Sequence, residues 1–240
     1  MAVVVRDLVK DFGAFRALHG VSFEVGEGEV FGLVGPNGAG KTTTLRILAG
    51  LLPPTRGEVR VLGAQPGDPR VKRLVSYLPE DAGTYRNITG YEFLEMVARI
   101  YYGRGREAEE ALELGLKIAG LGDRAHEKMK AYSKGMRRRV QVARALMVRP
   151  KVAILDEPTA GLDVLQAREV RELVRGYARE LGTTVILSSH NMGEVEAICD
   201  AVALIHRGRI VARGPLRELL SSHGARGLEE LFLSLVGGVR

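Results

Sequence analysis

One cysteine and no tryptophan occur in 240 residues. A lone cysteine excludes an internal disulfide and any cluster of thiolate metal ligands. Cys199 follows Ile198 in an apolar helical pattern, which marks it as a buried structural thiol. No apolar run approaches the roughly 20 residues that a membrane-crossing helix needs. The opening Met1-Ala2-Val3-Val4-Val5-Arg6 lacks the basic n-region and long apolar h-region of a secretory signal. The expectation is a chain that stays in the cytoplasm. If it serves a membrane, it does so peripherally at the inner face, and a partner supplies the span. Internal repeats and low-complexity tracts are also missing.

What is present belongs to an ordinary globular protein, with 45% apolar and 27% charged residues. The length allows one large domain, or a core with a smaller lobe. The formal charge of +6 is spread along the chain, and Arg137-Arg138-Arg139 is its only compact basic run. This pattern reads first as a basic solvated surface, with nucleic acid, anionic lipid and nucleotide as the alternatives. The basic run itself reads as a solvated helix face, the alternative being a contribution to binding triphosphate.

The first third alternates short strands with glycine. Val21–Val25 and Glu29–Val34 flank Gly26-Glu27-Gly28, a hairpin signal. The run Val30-Phe31-Gly32-Leu33-Val34 leads directly into a glycine-rich stretch. Thr43–Leu51 then has helical spacing, with Pro53-Pro54 to stop it. Glu58–Leu62 and Leu74–Leu78 are further strand candidates. From 88 to 148 strand signals vanish, and amphipathic helices are expected over Tyr91–Tyr101, Arg106–Ala119 and Ser133–Val148. Beyond them α/β alternation resumes, with buried strands at Val152–Leu155 and Thr184–Leu187 and a helix over Leu165–Leu181 between. Val202–His206 and Arg209–Ala212 make a hairpin over Arg207-Gly208. The expected fold is α/β, with residues 1–87 and 149–240 forming the core and 88–148 an inserted helical lobe.

Gly35-Pro36-Asn37-Gly38-Ala39-Gly40-Lys41-Thr42 satisfies the phosphate-loop pattern of nucleoside triphosphatases in full, with a strand before it and a helix after it. Small residues let consecutive backbone N–H groups curl around phosphate oxygens, and the helix start adds its positive end. Lys41 would reach the β- and γ-phosphates of a nucleoside triphosphate, and the Thr42 hydroxyl would be a ligand for Mg²⁺. The strand Val152–Leu155 ends in Asp156 and Glu157. The first carboxylate suits Mg²⁺, and the second suits activation of the attacking water.

These residues lead to a family. The chain resembles the ATP-binding cassette ATPases over nearly its whole length, with Tyr132-Ser133-Lys134-Gly135-Met136 standing where their signature stands. The helix Arg137-Arg138-Arg139-Val140-Gln141-Val142-Ala143-Arg144-Ala145-Leu146 is similar to the signature helix of that family. Ala160-Gly161-Leu162-Asp163 resembles the loop that crosses the dimer interface, and His190 stands at the switch-histidine position. The resemblance implies an ATPase that contacts ATP through Gly35 to Thr42 and Thr43. Ser133, Gly135 and Asp163 would serve the ATP of the opposite subunit, and Phe12 would stack on adenine, with Phe15 as its rival. It implies catalytic roles for Lys41, Glu157 and His190. Two departures stand out: Glu80 replaces the usual glutamine, expected beside Mg²⁺ and the water, and Lys134 and Met136 replace signature residues. Both are similar to a subgroup associated with export of drugs, lipids or polysaccharides. The implied partners are a second cassette, identical or paralogous, and transmembrane permease subunits from another chain. A cassette ATPase acting on nucleic acid or ribosomes, or assembling metal clusters, is the alternative.

Overall fold

The computed structural model describes residues 1–83 and 85–237. In chain order the elements are β1 Val3–Phe12, β2 Phe15–Val25, β3 Val30–Val34, α1 Lys41–Leu48, β4 Arg56–Val61, α2 Pro69–Lys72 and β5 Val75–Leu78. The helical block follows as α3 Gly90–Tyr102, α4 Arg106–Ala119 and α5 Lys134–Leu146. The remainder is β6 Val152–Leu155, α6 Val164–Leu181, β7 Thr184–Ser189, α7 Met192–Ile198, β8 Ala201–His206, β9 Arg209–Pro215, α8 Leu216–Ser222 and α9 Leu228–Gly237.

Two sheets result. A three-stranded antiparallel sheet has the order β2-β1-β4, and a six-stranded sheet has the order β5-β6-β7-β3-β8-β9. In the larger sheet only β9 runs antiparallel, closing on β8 over the expected Arg207-Gly208 turn. Its central strands β3, β6 and β7 are buried along their whole length. That is why they read as unbroken apolar runs and not as alternation. Side-chain alternation divides them between two cores. Val30, Val34, Leu155, Val185 and Leu187 face the core that contains α3, α4 and α5. Phe31, Leu33, Ile154 and Ile186 face the core shared with α1 and the small sheet.

The expected hairpin over Gly26-Glu27-Gly28 does not form. β2 stays in the small sheet, while β3 enters the large one between β7 and β8. Hydrogen bonds explain the diversion: the Glu29 carboxylate accepts from Gly26 N at 2.6 Å, and Val30 N donates to Asp200 Oδ2 at 3.0 Å. The helix after the phosphate loop begins two residues earlier than expected and ends at Leu48, where Gly50 takes φ 71° before either proline is reached.

The block between β5 and β6 is helical, as its periodicity indicates. Thr89 caps α3 in a reciprocal box with Glu92, the left-handed Gly120 ends α4, and Ser133 caps α5.

Candidate functional site

The carboxyl ends of β3, β6 and β7 carry the chemistry, as expected of a parallel sheet. After β3 the chain turns through Gly35, whose N–H donates to Ser189 O at 3.3 Å. A side chain at Gly35 would overlap the Ile205 carbonyl, so this glycine is required by close packing and not only by phosphate access. Gly40 caps α1 at φ 107°, a conformation that disfavours any other residue. Lys41 is buried, and its ammonium donates to Gly35 O at 2.8 Å and Pro36 O at 3.2 Å. The loop therefore wraps its own lysine and aims it at the mouth of the cleft.

Asp156 is almost fully buried at the end of β6 and collects three hydroxyl donors. Ser188 Oγ donates to its Oδ1 at 2.6 Å, Thr42 Oγ1 donates to the same oxygen at 3.2 Å, and the Tyr77 hydroxyl donates to Oδ2 at 3.4 Å. Burial, and next the Asp156 charge, push the Tyr77 phenol above its ordinary value, so it remains a donor. The oxygens of Thr42 and Asp156 thus stand together at the phosphate loop. They form a hard donor pair that suits Mg²⁺, which takes few protein ligands and fills the rest of its octahedron with phosphate and water.

Glu157 follows in the left-handed region at φ 47°. Its N–H donates to Ser188 Oγ at 2.9 Å. Lys41 Nζ lies 3.4 Å from its Oε1, and His190 Nδ1 lies 2.9 Å from its Oε2. The base candidate, the phosphate-loop lysine and the switch histidine therefore meet at one carboxylate. Glu157 and Lys41 line a cleft of about 480 Å³ together with Asn37, Gly38, Thr42, Thr43 and Glu80. Phe12 and Phe15, paired across the β1–β2 turn, both line it and are both exposed. Glu80 follows β5 by two residues and is among the residues that line this cleft.

Ser133, Gly135 and Asp163 do not join them. None is among the described residues that line the cleft. Ser133 Oγ accepts from Met136 N at 3.1 Å, and Asp163 Oδ1 accepts from Gln166 N at 2.9 Å, each capping its own helix. Gly135 lies against the Gln166 amide, which would have to shift to admit a side chain there. Lys134, which replaces a signature glycine, lays its ammonium against Gly161. The extra side chain thus folds onto the Ala160–Asp163 loop of its own chain.

Arg138 corrects the reading of the basic run as a solvated face. It is 6% exposed, and its guanidinium donates to five backbone carbonyls: those of Pro79, Glu80, Asp156, Glu157 and Pro158. Burial lowers its pKa to about 10, against the opposing pull of Asp156, Glu80 and Glu157, so it remains a cation at neutral pH. Its neighbours divide: Arg137 bonds the Tyr132 carbonyl, and Arg139 bonds the Gly120 carbonyl. The sequence signal was available. Helical spacing places 138, 141 and 145 on one face, and only 138 in that set is charged. Ser188 and Tyr77 were also missed, since isolated hydroxyl residues in strands carry no pattern.

Comparison with known proteins places this geometry in context. Residues 18–160 match the family described as ABC transporter. The daunorubicin/doxorubicin resistance ATP-binding protein DrrA of Streptomyces peucetius is 40% identical over 232 residues, covering 95% of this chain and 69% of the relative. Other curated relatives are longer, and the match spans 59–68% of three of them. Among solved structures, an ATP-binding subunit of an ABC transporter is 31% identical with a TM-score of 0.84, covering 98% of this chain and all of that one. A dimeric, post-hydrolysis ATP-binding cassette bound to ADP and Pi is 26% identical with a TM-score of 0.78, covering 90% and 99%.

Proposed function

This chain belongs to the ABC transporter family and is an ATP-binding, ATP-hydrolysing subunit of it; we propose that two cassettes pair head to tail around ATP to drive export through separate transmembrane subunits. The observation that carries the hydrolytic reading is the meeting of Lys41 and His190 at the Glu157 carboxylate. With ATP in the loop, the Lys41 ammonium turns from Glu157 to the β- and γ-phosphates. The freed Glu157 carboxylate accepts a proton from water as its oxygen attacks the γ-phosphorus. The bond to the β-phosphate oxygen breaks, leaving ADP and phosphate. His190 holds the carboxylate and presents its ring to the γ-phosphate. Thr42, Asp156 and Glu80 would hold Mg²⁺, which when bound neutralises charge on the phosphate oxygens. Glu80, a carboxylate, accepts but cannot donate.

The paired arrangement is supported by where Ser133, Gly135 and Asp163 lie. Ser133 and Gly135 stand at the start of α5 outside their own cleft, a helix terminus suited to the γ-phosphate of a facing copy, identical or paralogous, and Asp163 caps α6 beyond the Ala160–Asp163 loop. A solved relative is dimeric after hydrolysis. No described helix is long and apolar enough to cross a membrane. The proposed transmembrane partners are permease subunits from a separate chain, against which this one is peripheral. The block 88–148 is the lobe that carries closure to them. Export is supported by relatives named for drug resistance and bacitracin transport.

The test is ATP turnover by the purified protein beside Lys41→Ala. Folded Lys41→Ala is expected at background rate, and wild-type turnover in that variant would overturn the site.

A further inference from the structure

Glu157 is a strained residue whose carboxylate direction depends on how its two flanking peptides are held. At φ 47° its backbone occupies a region that few non-glycine residues adopt. One side is fixed by Ser188, which accepts from Glu157 N at 2.9 Å. The other side is fixed by Arg138. Its Nη2 donates to Asp156 O at 2.9 Å and Glu157 O at 2.8 Å, and its Nε donates to Pro158 O at 2.8 Å. Three consecutive carbonyls are thereby aimed at one guanidinium.

The same guanidinium reaches the exit of β5, donating through Nη1 to Pro79 O at 3.2 Å and Glu80 O at 3.1 Å. Two further α5 side chains grip that segment from the same helix face. Gln141 donates to Ala82 O, and Arg144 donates to Tyr77 O at 2.8 Å. Arg138 stands between them and the start of α5, five residues beyond Ser133. Its protein partners are carbonyls and the Gln141 amide, with no carboxylate paired to it among the described residues. Only a planar fork with five donors can satisfy this set, so lysine is not an equivalent.

We propose that Arg138 is a positioning residue for hydrolysis. It makes the placement of α5, whose first turn carries the signature, set the Glu157 backbone and the Glu80 segment together. A shift of α5 on contact with the opposing ATP then moves the base and the Glu80 segment as one body. This inference rests on Glu157 as the base.

The test uses the full chain. Arg138→Lys keeps the charge and removes the fork, and Arg138→Gln is the second variant if lysine prevents folding. The readouts are kcat, KM for ATP, affinity for a fluorescent ATP analogue, and single-turnover rates with and without Glu157→Gln. The expected result is kcat lower by about 20-fold or more, with KM and affinity within about threefold, the split of a residue acting after binding. Glu157→Gln added to Arg138→Lys is expected within about threefold of Glu157→Gln alone, where independent effects would multiply. Wild-type kcat, parallel loss of kcat and affinity, multiplicative effects, or failure of both variants to fold would overturn it. Wild-type turnover by Glu157→Gln would instead overturn the reading of the site on which it stands.

Discussion

His190 Nδ1 lies 2.9 Å from Glu157 Oε2, joining a ring that is 53% exposed to a carboxylate that is 7% exposed. The histidine is the wet side of this pair, so it can turn toward nucleotide while Glu157 stays fixed. His190→Ala removes both the bond to Glu157 and the proposed γ-phosphate contact. Hydrolysis is expected to fall about 10²-fold or more, the range for a group that serves proton transfer. Steady-state turnover checks this, with nucleotide affinity expected to change far less.

Glu80 lines the cleft beside Lys41, Thr42 and Glu157 while its carbonyl is held by Arg138. Glu80→Gln keeps an acceptor oxygen and is expected to retain much of the activity. Glu80→Ala loses the contact and is expected to shift the Mg²⁺ requirement upward. Turnover across a Mg²⁺ titration, with and without the permease partner, separates the two. Equal curves for all three proteins would count against a role for this side chain.

Cys199 is buried between α7 and β8, and burial pushes its thiol above the ordinary value, with Asp200 adding to the effect. The nucleophile is the thiolate, so a raised pKa suppresses reaction at neutral pH. The native protein is expected to resist a disulfide reagent that labels it promptly in denaturant. Fast labelling of the folded chain would place the residue elsewhere.

Thr89 Oγ1 accepts from Glu92 N at 3.0 Å, and Thr89 N donates to Glu92 Oε2 at 2.7 Å. Thr89→Ala removes half of this box and is expected to cost about 1 kcal/mol. In a chain of this size that lowers Tm by about 2–4 °C. Calorimetry reads the shift, and ATPase activity is expected to persist.

The elements that positioned the site were largely legible. Val152–Leu155 and the helix Arg106–Ala119 have the bounds their patterns give, because a fully buried strand and an amphipathic helix follow from local periodicity. The failed hairpin shows the limit. Gly26-Glu27-Gly28 is a turn, but whether its strands pair depends on Asp200, far along the chain, which captures Val30. Helical spacing marks Arg138 as the charged member of its face, but what it holds is not local, since its carbonyl partners come from two distant strand ends. The short helices α8 and α9, over Leu216–Ser222 and Leu228–Gly237, carry too little contrast to be read. Lys41, Thr42, Asp156 and Glu157 could be singled out because they belong to contiguous motifs, whereas His190 was singled out by family resemblance alone; the fold brings Lys41 and His190 to the Glu157 carboxylate.

The paired cassette is tested most directly by the mass of Glu157→Gln in solution. This variant removes the base while keeping the size of the side chain, so Mg²⁺ and ATP are expected to accumulate in an uncleaved complex. Light scattering is expected to move from one 26.1 kDa chain without nucleotide to twice that mass with ATP. Ser133→Arg in the same chain is expected to return it to the single mass by filling the facing anion site. A single-chain mass at saturating ATP, or a dimer indifferent to Ser133→Arg, would contradict the head-to-tail arrangement.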